Sequence, residues 1–401
     1  MNFLLQDTTP AGATALTVNG NANITGSNVQ VGILGGPTAA LQLDDQVVLV
    51  NASGTLTGLP AQTTGVGMQG LMIKYDFDLT TVGNQLLATV TNTSLNQNTK
   101  AFSEGRAATA ALINQGADFI VQDGMLAAQQ AAEMTGGLAT FALIGGGKSR
   151  YETGSHVDLT AFNAAVGLTH EVEYWYNADW LLSSFIEYGV GDYSSHNEFF
   201  SGNVKGNGNS QYIGLGFLGK RTSVKNSYFE ISAHLGRLKT DFNGAVYNKS
   251  DADYDYSVPY YAAHAGLGYV WDWTDNIALD LSGKYFWSHQ DGKTVSISSG
   301  DEIHFKTMDS SRARAGARLN FQWDELWAPY LGAAYEYEFD GKAHATTYGM
   351  DIDAPSLKGS SAIAEAGIAY TGEKITLGIG GQIFAGRRRG ASGHIHVGFP
   401  F

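Results

Sequence analysis

Few residues in this chain are arranged in a way that could do chemistry. Gly214-Leu-Gly-Phe-Leu-Gly219 has the glycine spacing of a phosphate-cradling loop, but that chemistry needs the motif to open a helix, and here it lies inside a two-residue alternation. Asp251, Asp253 and Asp255 alternate like the first ligands of a calcium loop. The turn glycine and the twelfth-position glutamate are missing, with Ala262 in place of the latter, so an acidic loop is expected. His394 and His396 share one strand face, as metal ligands or simply as part of a polar lining. Arg387-Arg388-Arg389 is the one basic run, either a solvated turn or a phosphate contact suited to arginine's planar fork. Neither GxSxG nor HExxH occurs. Without a nucleophile, base and orienting group in combination, no enzyme activity, cofactor or metal centre is expected.

The chemistry that remains is electrostatic and needs a scaffold. The 401 residues include 38 acidic and 24 basic side chains, for a net charge of −14, which argues against nucleic acid as a partner. No cysteine is present, so disulfides, thiol catalysis and zinc–thiolate sites are excluded together. No run approaches the roughly 18 apolar residues of a spanning helix, and the N-terminus lacks a basic segment followed by an apolar one. Taken alone, these totals describe a soluble acidic protein.

Their distribution says otherwise. Of 19 Phe, 20 Tyr and 7 Trp, only Phe3, Tyr75 and Phe77 lie in residues 1–100, and all ten His and all seven Trp follow. Residues 1–98 carry short apolar stretches at 29–34, 46–50 and 87–90 between turn-forming residues, which predicts a β-solenoid or small sheet stack without a strict repeat. Residues 99–134 contain no proline and are rich in alanine, predicting a helix that starts near 99–103. Gly105, Gly116 and Gly124 interrupt it, small residues occupy every face, and charges are few. It reads as a linker between soluble domains or as a slim rod built to fit a narrow space.

From residue 138 the period is two. Twelve strands are expected, at 138–151, 156–176, 180–194, 209–222, 227–241, 257–273, 276–290, 303–323, 326–341, 356–371, 374–387 and 391–401. Many exceed the five or six residues of ordinary sheets. Tight turns near 177–179, 223–226, 274–275, 324–325 and 372–373 alternate with longer Gly-, Asn-, Asp- and Ser-rich segments near 195–208, 242–256, 291–302 and 342–355, although the first and last connections on that side, near 152–155 and 388–390, are short. Tyr174, Trp175, Trp180, Trp271, Trp273, Trp323 and Trp327 cluster beside the tight turns as an aromatic girdle. Short turns on one rim, long loops on the other and an even strand count predict an all-β fold, a 12-stranded antiparallel transmembrane barrel. Such a barrel satisfies its backbone in lipid while only alternate residues meet hydrocarbon. One strand carries Arg312, Arg314 and Arg318 on one face and the next carries Glu336 and Glu338; pairing across the 324–325 turn places both faces in the lumen, with Arg314 opposite Glu336 and Arg312 opposite Glu338. A soluble sandwich is the competing reading, and it would need a second layer over the Ala, Leu, Phe, Tyr and Trp face.

Residues from about 99 to 401 resemble the translocator domain of classical, type V autotransporters. The resemblance rests on the S-E-G-R-A-A…N-Q-G-A-D helix at 103–118, the R-A-R-A-G-A-R-L strand at 312–319, the P-Y-L-G-A-A-Y-E-Y-E-F-D-G strand at 329–341 and the terminal Phe401. It implies three parts: residues 1–98 as the end of a passenger, residues 99–134 as a helix in the lumen and residues 135–401 as an outer-membrane barrel. In it, Ser103, Glu104, Arg106, Asn114 and Asp118 would belong to the lumen helix, and Arg312, Arg314, Arg318, Glu336 and Glu338 to the barrel interior. Val397, Phe399 and Phe401 look like the alternating terminal signal for barrel assembly, and Arg387, Arg388 and Arg389 would sit at the surface rim within reach of lipopolysaccharide phosphates. Expected partners are outer-membrane lipid, the barrel-assembly machinery, periplasmic chaperones and the chain's own passenger, with the barrel a monomer at the bacterial outer membrane. Residues 69–91 resemble the capping hairpin of a passenger. Self-cleaving members use an Asn-Asn pair in the helix, whereas here Asn96, Asn98 and Asn114 stand singly, so an attached passenger is expected. The absent leader suits a fragment of a longer exported chain. The alternative is a porin with a periplasmic N-terminal domain.

Overall fold

The computed structural model describes all residues except 136, 173–177, 201, 248–249 and 401; the side chains of 135, 246, 247, 250 and 251 are likewise not described. Tyr174, Trp175 and Phe401, singled out above, lie outside the described residues.

Twelve antiparallel strands close into a barrel, with the first, Leu138–Glu152, hydrogen-bonded to the last, Arg388–Pro400, from Ala139 opposite Pro400 to Tyr151 opposite Arg388. Closure removes every sheet edge, as a strand assembly in lipid requires. Alternation sets the two faces. The outside carries a belt of exposed apolar residues, including Ile144, Val166, Ile186, Leu215, Leu235, Leu267, Leu331, Ile379 and Ile395, with Trp271, Trp273, Trp323 and Trp327 exposed at the tight-turn end. Among the described residues no helix is long and apolar enough to cross a membrane, and this barrel crosses with strands.

Two expected loops are strand. Residues 195–208 and 242–256 fall largely within Ala178–Phe199, Gly202–Ser223, Ser227–Tyr247 and Ser250–Thr274, strands of 21 to 25 residues, where about ten suffice to span. Polar, glycine-rich sequence does not prevent pairing when the inward positions remain apolar. Tyr193, Val204, Phe242 and Tyr254 are all buried, and Phe242 stacks on Tyr254 at 5.2 Å. The wall therefore rises past the membrane around the start of the helix. The expected strand at 303–323 is two pieces, because residues 302–305 leave the barrel to join Lys293–Ser296, Ala345–Thr347 and Met350–Ile352 in a four-stranded sheet; the barrel strand begins at Met308.

The helix runs Lys100–Phe119, passes through a π-turn at Ile120–Gly124 and continues as Met125–Thr135. At 1.5 Å per residue it is about 54 Å long. Every residue from Ala101 to Phe119 is buried, which is possible only for a helix walled on all sides. The π-turn, which ends at Gly124, one of the glycines that interrupt the helical pattern, adds a residue to one turn and so rephases the two halves.

Residues 1–95 stack parallel strands, Asn2–Leu5 on Gln30–Ile33 and Thr17–Val18 on Asn51–Ala52, in solenoid fashion. The stack is closed by an antiparallel hairpin, Ile73–Val82 with Gln85–Leu95. Met72, Ile73, Tyr75, Phe77, Leu86 and Val90 fill its core. This unit packs on the long-loop end of the barrel, where the Leu71 amide donates to Asp301 and the Gly36 amide to the Tyr348 hydroxyl.

Candidate functional site

The lumen is the site. Midway along it, Asp118 of the helix meets three barrel arginines: Oδ1 accepts from Arg312 at 2.8 Å and Arg314 at 2.7 Å, and Oδ2 from Arg388 at 3.0 Å. The two barrel strands carrying Arg and Glu pair with Arg312 opposite Glu338 and Arg314 opposite Glu336. Glu336 holds Arg314 at 2.6 Å and Arg312 at 3.2 Å, and Glu338 accepts from the Ser311 amide at 2.8 Å. Three cations and three carboxylates thus balance in a buried space, where one unpaired charge would cost several kcal/mol. Asn114, one turn earlier, donates to Ser310 and accepts from Ser288, both at 2.9 Å.

The other helix residues lie apart from this cluster. Glu104, at the surface mouth, accepts from Thr153 at 2.8 Å and from Ser155, with Lys100 at 3.6 Å. Ser103 is fully buried and its hydroxyl has no hydrogen-bond partner among the described residues. Arg106 donates to the carbonyls of Gln290, Asp291 and Lys306 and lies over the Tyr256 ring at 5.5 Å, so it ties the helix to the base of a surface hairpin. Arg318 lies farther toward the tight-turn rim and forms a fork with Glu365 at 2.8 and 3.1 Å.

Alternation corrects the reading of the basic run. Successive strand residues face opposite sides, so Arg388 turns inward to Asp118 and cannot reach lipid, Arg389 is exposed outside and Arg387 donates to the Ser356 carbonyl. Val397 and Phe399 lie on the outer face. His394 and His396 are engaged by the helix, His394 with Asp123 at 3.0 Å and His396 with Gln130 at 2.9 Å. The glycines of the 214–219 motif make room for rings: a Cβ on Gly214 would lie 2.2 Å from the Tyr260 hydroxyl and one on Gly216 2.4 Å from Phe185.

Several lumen partners escaped sequence reasoning. Glu365 and Asp123 could have been found by parity and helix position. Glu187, bound to Tyr260 at 2.6 Å and His234 at 3.1 Å, and Glu230, bound to Lys284 and His264, meet partners 34 to 73 residues away in the chain and carry no local signal.

A second contact joins residues 1–95 to the barrel. Asp301, in the surface hairpin, is fully buried and accepts from the Leu71 amide at 2.8 Å, Ser299 at 2.5 Å and the Tyr348 hydroxyl. Burial pushes its carboxyl above the usual aspartate value, against these hydrogen bonds, and among the described residues no cation is one of its partners. Docking should therefore favour the protonated carboxyl. The contact should be strongest below about pH 3.9, the free aspartate value, and weaken as pH rises through the docked value. Protection of the Leu71 amide, with exchange corrected for its intrinsic pH dependence, should rise on acidification, and Asp301→Asn should flatten that rise.

A closed antiparallel barrel with an apolar exterior, aromatic belt and helix-filled lumen defines an outer-membrane β-barrel of the plugged kind. The chain belongs to the autotransporter β-domain family, whose pattern matches residues 140–382, more than half its length. No curated protein matches it. Among solved structures it is similar to the translocator domain of autotransporter NalP from Neisseria meningitidis, at 15% identity and TM-score 0.58, covering 75% of this chain and 99% of that one. It is also similar to the β-domain of the Bordetella autotransporter BrkA, at 15% identity and TM-score 0.54, covering 66% and 100%. At such identities the likeness is one of fold.

Proposed function

We propose that the barrel exports a passenger through its lumen and then anchors it, uncleaved, at the cell surface, with the helix remaining as both tether and plug. The observation that carries this reading is the continuous chain from the surface-side stack through the mouth at Glu104 to the Asp118 cluster deep inside. An adhesive role belongs to residues 1–98 and the surface loops. Assembly by the periplasmic chaperones and barrel machinery would read the outward Val397 and Phe399 with Phe401. Lipopolysaccharide phosphates would meet Arg389 beside its cross-strand neighbour Arg150, with Lys148 on the same exposed face.

Two measurements test this. On unheated and heated gels the chain should migrate as one species with no separate passenger band, and release of a passenger band would overturn the tether. In planar bilayers the intact chain should be nearly silent and deletion of residues 99–133 should open a large pore; high conductance of the intact chain would favour a porin.

A further inference from the structure

We propose a binding site for one divalent transition-metal ion of the zinc and copper class on the outer wall at the surface rim, formed by His156, Asp158 and His196. His156 opens the second barrel strand, His156–Val172, and His196 lies near the surface end of the third; the two are direct cross-strand partners. Their rings stack with centroids 4.6 Å apart and planes 14° from parallel. Asp158 follows two residues after His156 on the same outward face, and one donor atom from each residue lies within 4.8 Å of the other two.

The donor chemistry selects the ion. Two neutral imidazoles and one carboxylate suit zinc or copper far better than oxygen-seeking calcium or magnesium. Tetrahedral donors about 2.1 Å from a metal lie roughly 3.4 Å from each other, so modest rotamer changes on two rigid neighbouring strands would close the set. Nδ1 of His196 has no hydrogen-bond partner among the described residues. Arg150 holds Asp158 through both carboxylate oxygens, at 2.7 and 2.8 Å. A carboxylate has lone pairs for both roles, so Arg150 can keep one oxygen while the metal takes the other. The adjacent cavity of about 560 Å³, lined by Glu152, Glu198 and Lys205 among others, leaves room for a water or a further carboxylate as the fourth ligand.

The location gives the site a consequence. The turn at residues 153–155 just before His156 is the one that grips Glu104 of the helix. A metal joining the second and third strands would stiffen the wall beside the mouth where the helix enters.

The test uses the full chain in detergent, stripped with chelator and titrated calorimetrically with Zn²⁺ and separately with Cu²⁺. One equivalent should bind with a dissociation constant on the order of 1 µM or tighter, without competition from Ca²⁺ or Mg²⁺. His156→Asn and His196→Asn should each weaken binding by roughly 100-fold, the upper end of what loss of a supporting group costs a metal site. His170→Asn, exposed at the other end of the second strand, should change nothing. Heat-modified migration of each variant verifies folding. Binding that is absent at 100-fold higher concentration, or equally tight in the His156→Asn/His196→Asn double variant, would overturn the site.

Discussion

Asp118→Ala should unseat the helix. The substitution leaves Arg312, Arg314 and Arg388 buried against Glu336 and Glu338 alone, one positive charge in excess. Removing one partner of a buried ion pair costs about 3–5 kcal/mol, and here a single carboxylate serves three guanidinium groups through both oxygens. The loss falls on the helix–wall contact, because the Arg–Glu pairs within the wall remain. The expected result is a clear drop in the temperature at which the compact band converts to the heated one, together with conductance in a planar bilayer where the parent is silent. Asp118→Asn keeps the shape and should behave similarly, which would assign the effect to charge. Adding Arg388→Met to Asp118→Ala restores the charge balance and should recover part of the stability, a coupling that a double-mutant cycle would read. Unchanged stability and silence in Asp118→Ala would remove the cluster from any seating role.

The second large effect is steric. Gly116 faces Tyr212, and a Cβ built there would lie 2.1 Å from the tyrosine hydroxyl. Tyr212 cannot retreat, since its oxygen donates to Asn163 at 2.9 Å and its ring lies against Gly189, where a Cβ would be only 2.1 Å away. Overpacking a tight interior costs about 1–3 kcal/mol for small additions, and Gly116→Leu adds four carbons where none fits. Helix seating and the yield of folded barrel should both fall sharply. Gly124→Ala is the contrast: its Cβ would meet Ile120 and Leu143 at 3.7–3.8 Å, ordinary contact, and alanine in a helix gains about 0.5–1 kcal/mol over glycine. Equal damage from both variants would refute the close-approach explanation.

These two sites show how unevenly the molecule was legible. Gly105, Gly116 and Gly124 stood out together as interruptions, yet Gly105 and Gly116 face tyrosines while Gly124 has ordinary room; helix propensity cannot tell them apart because the difference lies in the wall. The acidic helix residue Asp118 was visible, but not that Arg312 and Arg314 from one region and Arg388 from another, well separated in sequence, converge on it. Arg388 was read with its neighbours as one basic patch, though strand parity sends it to the opposite side of the wall from Arg389. The Arg312–Glu338 and Arg314–Glu336 register was legible because a short turn joins those strands and leaves little freedom in how they align.

The barrel follows from local patterning: a period of two from residue 138 onward, tight turns alternating with longer connections, and a glycine- and alanine-rich rod before it. Those are local properties, repeated at each strand, and they leave closure in lipid as the arrangement that covers both the apolar face and the backbone. The height of the walls, the fold-back of the surface hairpins, the carboxylate that balances each arginine and the meeting of His156, Asp158 and His196 come from long-range packing. Each of these depends on the three-dimensional approach of segments that exert no local constraint on one another, so no periodicity records it.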